Sequence, residues 1–184
     1  GIYDINEENH KLTESKSIDN LNQSSISSLA VNYDGSLLAV GFVNGETSVI
    51  NLATEKTVYT NKSYNGSIVD VAFSGTGESL VTLDKQGESQ VINFADTLMQ
   101  STVYPTLGSE VSQSLYDADA NIYVLGGKNG TIAIWNAETW QELYRGKHSE
   151  NNDYVTDIAI SPNKKLLVVS GGDHAKVIDL QNYQ

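Results

Sequence analysis

Short apolar runs alternate with turn residues along this chain and return in the same order. Ile26-Ser-Ser-Leu-Ala-Val31, Ile68-Val-Asp-Val-Ala-Phe73, Val111-Ser-Gln-Ser-Leu-Tyr116 and Val155-Thr-Asp-Ile-Ala-Ile160 begin at steps of 42, 43 and 44 residues. A second block keeps the same register. Asn44-Gly45, Gln86-Gly87, Asn129-Gly130 and Asp173-His174 precede runs that reach Ile50-Asn51, Ile92-Asn93, Trp135-Asn136 and Ile178-Asp179. Apolar positions spaced by two mark strands rather than helices. Asn-Gly and Asp-Gly between such runs mark hairpins, because both central residues take φ > 0.

Each repeat therefore predicts four strands. In the first, Ile26 to Val31 is followed by an Asp34-Gly35 turn, then Leu37-Leu-Ala-Val40, the Asn44-Gly45 hairpin, Ser48-Val-Ile50 and Thr57-Val-Tyr-Thr60. Gly75-Thr-Gly77, Asp119-Ala-Asn121 and Pro162-Asn-Lys164 take the place of the first turn in the later repeats. No longer segment carries a helical apolar period, so helix content should be very low. A strand repeat of this length marks a sheet that cannot bury its own two faces and must stack on its neighbours. The expected division is 1–25 (end of a preceding blade and a polar loop), 26–66, 67–110 and 111–153 (blades), and 154–184 (a last blade of three strands).

The start has the phase of a third strand. Tyr3 stands where Ile50, Ile92, Trp135 and Ile178 stand, and Asp4 where Asn51, Asn93, Asn136 and Asp179 stand. Residues 6–25 form a longer, more polar link, expected to hold a short fourth strand in a mobile loop.

Composition narrows the function. The net charge is −12, spread along the chain: −5 over residues 1–60 and −7 over 61–184. Dispersed acidity repels phosphate backbones and excludes direct nucleic-acid binding as the expected role; a basic protein or peptide partner is compatible with it. No apolar run is long enough to span a bilayer, so no membrane role is expected. The chain has no cysteine, which removes disulfides and thiolate metal sites and favours an intracellular protein of nucleus or cytoplasm.

The candidate chemistry is thin. Asp117-Ala-Asp119-Ala-Asn121 begins like a calcium loop, but Ile122 holds the position of the required Gly and Lys128 that of the closing Glu. It also coincides with a hairpin turn. His10, His148 and His174 fall in three different repeats without metal-ligand spacing. Gly75-Thr-Gly77-Glu-Ser79 lacks the Lys of a phosphate loop and precedes a strand. No nucleophile elbow surrounds any serine. Neither enzymatic activity nor a cofactor is expected.

The pattern resembles the WD-repeat β-propeller family. The carrying residues are Val155-Thr-Asp-Ile-Ala-Ile-Ser161-Pro162-Asn163, the Leu166-Leu-Val-Val-Ser170 that follows, and Gly130-Thr-Ile-Ala-Ile-Trp135-Asn136. The Trp-Asp pair itself is absent, and Gly146-Lys-His148 is the nearest approach to the family's Gly-His. Family blades often join that His, a hairpin Asp, a second-strand Ser and the Trp by hydrogen bonds. Here the Asp-like positions hold Asn44, Gln86, Asn129 and Gly172, and the Ser-like positions hold Gly41, Leu83, Gly126 and Ser170. The resemblance implies an all-β propeller of four-stranded antiparallel blades. About four and a half are present, the last of a ring of about seven, with the rest supplied by residues preceding Gly1.

The resemblance also implies function: a non-catalytic scaffold that holds protein partners within an intracellular complex. The alternatives are a wall of a large assembly that uses blade edges, or a propeller with a ligand or catalytic site in its channel. In this family one face carries the second-to-third-strand hairpins and the loops leading into the first strands. Those positions are Phe42, Asp84, Lys85, Lys128, Asp173 and His174 on the hairpins, and Tyr64, Tyr104, His148, Asp153 and Tyr154 on the lead-in loops. Each tyrosine has two readings, interface anchor or plug between blades. Trp135 reads as internal, and Trp140 is open between the two.

Overall fold

The computed structural model consists of five antiparallel sheets laid down in chain order. It describes residues 2–6, 11–16, 24–62, 64–94, 101–104 and 107–183, with 2–6, 11–16 and 101–104 as backbone only. The first sheet pairs β1 (Ile2–Asn6) with β2 (Lys11–Lys16). The second contains β3 (Ile26–Val31), β4 (Leu37–Phe42), β5 (Glu46–Asn51) and β6 (Lys56–Lys62). The third contains β7 (Ile68–Phe73), β8 (Ser79–Asp84), β9 (Ser89–Asn93) and β10 (Ser101–Tyr104). The fourth contains β11 (Val111–Asp117), β12 (Ile122–Gly127), β13 (Thr131–Asn136) and β14 (Glu142–Lys147). The last has three strands, β15 (Asp157–Ile160), β16 (Leu166–Gly171) and β17 (His174–Asp179). Within every sheet, consecutive strands are neighbours. No helix occurs among the described residues.

The core is a series of slabs between sheets. Ala39 and Val49 of the second sheet meet Ile68, Val71, Leu80 and Ile92 of the third. The other face of the third, with Val81, Leu83 and Val91, meets Tyr123, Leu125, Ala133 and Trp135 of the fourth. Val124, Ile132 and Ile134 of the fourth then meet Ile158, Leu167, Val169 and Ile178 of the last. Central strands are thus buried on both faces, which explains their continuous apolar runs: β12 reads Ile-Tyr-Val-Leu-Gly-Gly and is buried at every position. The last sheet instead alternates along β16, with Leu167 and Val169 buried and Leu166 and Val168 exposed. Apolar surface also stands open on β3 and β17, at Leu29, Val31 and Val177.

The first turn of each repeat has one geometry. Gly35, Gly77, Asn121 and Lys164 all take φ near +60° (72, 75, 53 and 59°). Each amide donates to the carbonyl three residues earlier. The run that begins like a calcium loop is this turn. The Asp117 carboxylate accepts the Ala120 amide at 2.8 Å and pairs with Lys164 of the next sheet.

The opposite ends of the sheets are locked by the hairpin glycines. Gly130 has φ +76°, and a Cβ there would lie 2.7 Å from the Asp153 carbonyl oxygen. A Cβ on Gly45 or Gly87 would likewise crowd the Tyr64 or Ser109 carbonyl oxygen. Glycine is required on two grounds: the left-handed conformation, and the close approach of the segment leading into the following sheet. Backbone hydrogen bonds complete the lock. The Val111 amide donates to Lys85 and the Val155 amide to Gly127, each at 3.1 Å. The substitution Gly130→Ala should therefore destabilise the fold by about 1–3 kcal/mol, read as an earlier midpoint in urea. Asn129→Ala, which loses one side-chain hydrogen bond to the Thr131 amide, should cost about 1 kcal/mol.

Candidate interaction face

The hairpin lock gathers the β4–β5, β8–β9, β12–β13 and β16–β17 hairpins with the lead-in loops at one end of the array. The Lys85 amide donates to Ser67 and the Lys128 amide to Glu110, at 3.0 and 2.8 Å. The surface is therefore built on fixed backbone, and the position of each side chain decides whether it can serve as contact area.

Burial takes four of the expected contact residues off that surface. Phe42 is wholly buried beside Val40 and Ile50, because its place at the end of β4 faces inward. Tyr64 is the plug and not the anchor: it is 4% exposed, and its hydroxyl donates to the Thr82 carbonyl at 3.0 Å. Burial pushes that phenol far above its ordinary range. Asp84 closes its own hairpin by accepting the Glu88 amide at 2.8 Å. His148 is 7% exposed, with Nδ1 3.4 Å from the Gly130 carbonyl and Nε2 buried without a partner. It braces the Gly130 lock. Trp135 and Trp140 are buried as well, and the Trp140 ring meets Tyr123 edge-on at 6.2 Å.

Lys85, Lys128, Tyr154, Asp173 and His174 are exposed, and Asp153 is half-buried. Tyr154 is the large apolar group among them, at 57% exposure. Lys128 pairs with Glu110 across the loops. Asp173 pairs with the His174 imidazole, and Asp153 accepts the Ser149 hydroxyl at 3.2 Å. Asp153, Asp173 and His174 bring one ligand atom each within 4.8 Å of one another. They are the described residues whose chemistry could hold a cation, and two of the three lie open to solvent. Tyr104 lies on β10 opposite Ser89, and its side chain is outside the described residues. His10 is outside them too.

Sequence reasoning missed a polar hub between the first strands. Asp70 on β7 accepts the Tyr123 hydroxyl at 3.0 Å through Oδ2, and its Oδ1 lies 3.5 Å from the Ser28 hydroxyl of β3. Ser28 Oγ in turn accepts the Val71 amide at 3.1 Å, and Ser114 of β11 also hydrogen-bonds the carboxylate. One side chain thus ties three sheets together. Burial raises the Asp70 pKa, outweighing the hydrogen bonds from Ser114, Tyr123, the Val71 backbone and Ser28 that favour the anion. The signal was a polar residue at the third position of every repeat run (Ser28, Asp70, Gln113 and Asp157). What the sequence hides is the bulge beside it, between Ile26 and Ser28, Ile68 and Asp70, and Val111 and Gln113. A bulge re-aims the following side chain.

The Ser-like position explains itself here. A Cβ on Gly126 would lie 2.4 Å from Val155 Cγ1, so the next sheet's lead-in residue fills the space a serine would use. The buried Trp135 Nε1, on the opposite face of the sheet, has no hydrogen-bond partner.

A raised folded-state pKa means that the neutral form of Asp70 suits the fold better than the anion. Its stabilising contribution is full below the unfolded-state value and is lost as pH rises through the folded-state value. Chemical denaturation of wild type and Asp70→Asn between about pH 4 and pH 8 should show wild type losing stability relative to the variant as pH rises. A pH-independent difference would mean that the carboxylate does not titrate in the fold.

Comparison with known proteins places this geometry. The chain matches the Vps8 β-propeller family over residues 2–178. It is 28% identical over 151 residues to WD repeat-containing protein 55 of Homo sapiens, covering 80% of this chain and 39% of that protein. The Bos taurus protein of the same name is 29% identical over 154 residues, with the same two shares. The chain thus spans about two fifths of the length of these curated relatives. Among solved structures, a chain of a mitotic checkpoint complex superposes with a TM-score of 0.73 at 16% identity, covering 99% of this chain and 55% of that one. The computationally designed Ika4 protein superposes with a TM-score of 0.68 at 21% identity, covering 86% of this chain and 92% of that one. These two likenesses concern the fold.

Proposed function

The chain belongs to the Vps8 β-propeller family, a propeller family of WD-repeat type, and from that premise we propose that it is a non-catalytic scaffold presenting its hairpin face to protein partners. The observation that carries this reading is the rigid backbone of that face, on which Lys85, Lys128, Tyr154, Asp173 and His174 remain exposed. A face fixed before binding loses little conformational entropy on association. An aromatic such as Tyr154 adds contact area at low entropic cost. The partner's contact segment is basic, in keeping with the charge of −12, and the setting is an intracellular complex of nucleus or cytoplasm. No described helix is long and apolar enough to cross a membrane.

The open apolar positions Leu166, Val168 and Val177 on the last sheet, and Leu29 and Val31 on β3, support further blades that complete a ring around this part. The same open surfaces support a second reading, in which sheet faces rather than hairpins make the contacts in a large assembly.

The two readings separate in one affinity-capture experiment followed by quantitative mass spectrometry. A triple variant, Lys85→Glu with Lys128→Glu and Tyr154→Ala, should lose a specific set of bound proteins while its melting curve stays within about 2 °C of wild type. Tyr33→Ala alters the opposite rim, where Tyr33 is 93% exposed, and should retain that set. Equal capture by the triple variant and wild type would overturn the hairpin-face reading.

A further inference from the structure

A groove of about 380 Å³ runs between the first strands β3, β7 and β11, on a different part of the molecule from the hairpin face. Ala30, Val31, Ala72 and Phe73 give it apolar walls, and Asp70 and Ser114 supply its polar end. Its volume is at the small end of ligand pockets, about 300–1,000 Å³, and suits one long side chain better than a folded peptide.

The Asp70 carboxylate is set in this groove with neutral partners. Its hydrogen bonds come from the Tyr123, Ser28 and Ser114 hydroxyls and the Val71 backbone. Glu110, Asp117 and Glu142 each carry a Lys or Arg partner. No ion pair to Asp70 occurs among the described residues. A largely enclosed anion without a cation is costly, and a cation entering from outside would offset that cost.

We propose that this groove receives a lysine side chain of a protein partner, its methylene stem on the apolar walls and its ammonium on Asp70. The inference rests on the reading of the chain as a protein-binding scaffold, and it adds a second, side-chain-specific contact to the hairpin face. The match is chemical at both ends. A lysine buries its aliphatic stem along apolar surface while its head group keeps polar partners. Arginine fits less well, because its planar fork prefers two free carboxylate oxygens. Here Oδ2 already accepts from Tyr123 and Oδ1 lies against Ser28. An ammonium is a compact point charge that can take the place of the Ser114 donor on the carboxylate and donate a second hydrogen to Ser114 Oγ.

The test uses the whole 184-residue chain and capped peptides of one lysine flanked by glycines, observed through the backbone amide NMR shifts of Val71, Ala72 and Ser114. The lysine peptide should shift these amides saturably, and its norleucine and acetyl-lysine counterparts should not. Asp70→Asn should weaken binding about tenfold or more. Val31→Lys, which tethers a competing cation at the groove wall, should abolish it and keeps the proposal testable if Asp70→Asn fails to fold. Equal shifts from the norleucine peptide would overturn the proposal, as would tighter binding of the arginine peptide. Butylamine binding as well as the lysine peptide would transfer the site to a free amine and overturn the assignment to a protein partner. The assay does not involve the hairpin face. Silent peptides with an intact hairpin-face capture would remove the groove alone, and failed capture with responding peptides would remove the hairpin-face reading alone.

Discussion

The central strands of the three four-stranded sheets are buried on both faces, so the stability of each of these sheets depends on what is stacked against both sides. Val124, Ile132 and Ile134 illustrate the dependence: all are fully buried, and all are covered by residues of the following sheet. Burial of apolar area at roughly 25 cal/mol per Å² acts here between sheets, because a flat sheet has no interior of its own. The hairpin glycines set how closely neighbours approach. A carbonyl oxygen seated within contact distance of Gly45, Gly87 and Gly130 leaves room for neither a side chain nor a different turn.

The family's hydrogen-bonded network within each blade is largely missing. Val155 occupies the space that a side chain at Gly126 would need, and on the other face of that sheet the buried Trp135 indole nitrogen has no partner. Polar order has moved from within blades to between them. Asp70 links β3, β7 and the fourth sheet through Ser28, Ser114 and Tyr123, and Lys164 reaches back to Asp117. Polar ties that cross the slabs specify how neighbouring sheets are aligned, which apolar packing alone fixes loosely.

The candidate face was partly legible. Lys85, Lys128, Asp173 and His174 sit on the hairpins one or two residues beyond, or at the start of, a strand, and such tips face solvent. Tyr64 and Tyr154 hold related lead-in positions and look interchangeable in sequence, yet one is sealed under Thr82 and the other is open. The difference is the neighbour. Tyr64 lies against the Gly45 hairpin, with Ile68 and Val71 beneath it. Tyr154 leads into the last of the described sheets, whose β16 leaves Leu166 and Val168 exposed. His148 was expected on the contact face from its place in a lead-in loop, and its buried contact with the Gly130 carbonyl required the fold.

The sequence by itself determined the strands, the turns and the order of the sheets. Those features depend on local chemistry: alternation at period two, and turns in which glycine most often takes the positive φ. The 42- to 44-residue step further required that sheets stack, because no single repeat could bury its apolar run. Only the tertiary structure decided which polar residues meet. Ser28, Asp70 and the pair Ser114 and Tyr123 come from three different repeats, and bulges in the first strands re-aim the side chains of Ser28, Asp70 and Ser114. A bulge leaves almost no mark in composition, and a contact across 53 residues, as between Asp70 and Tyr123, has no local signature. The groove beside Asp70 exists because three sheets are stacked at one spacing, and that spacing is a property of the assembled fold.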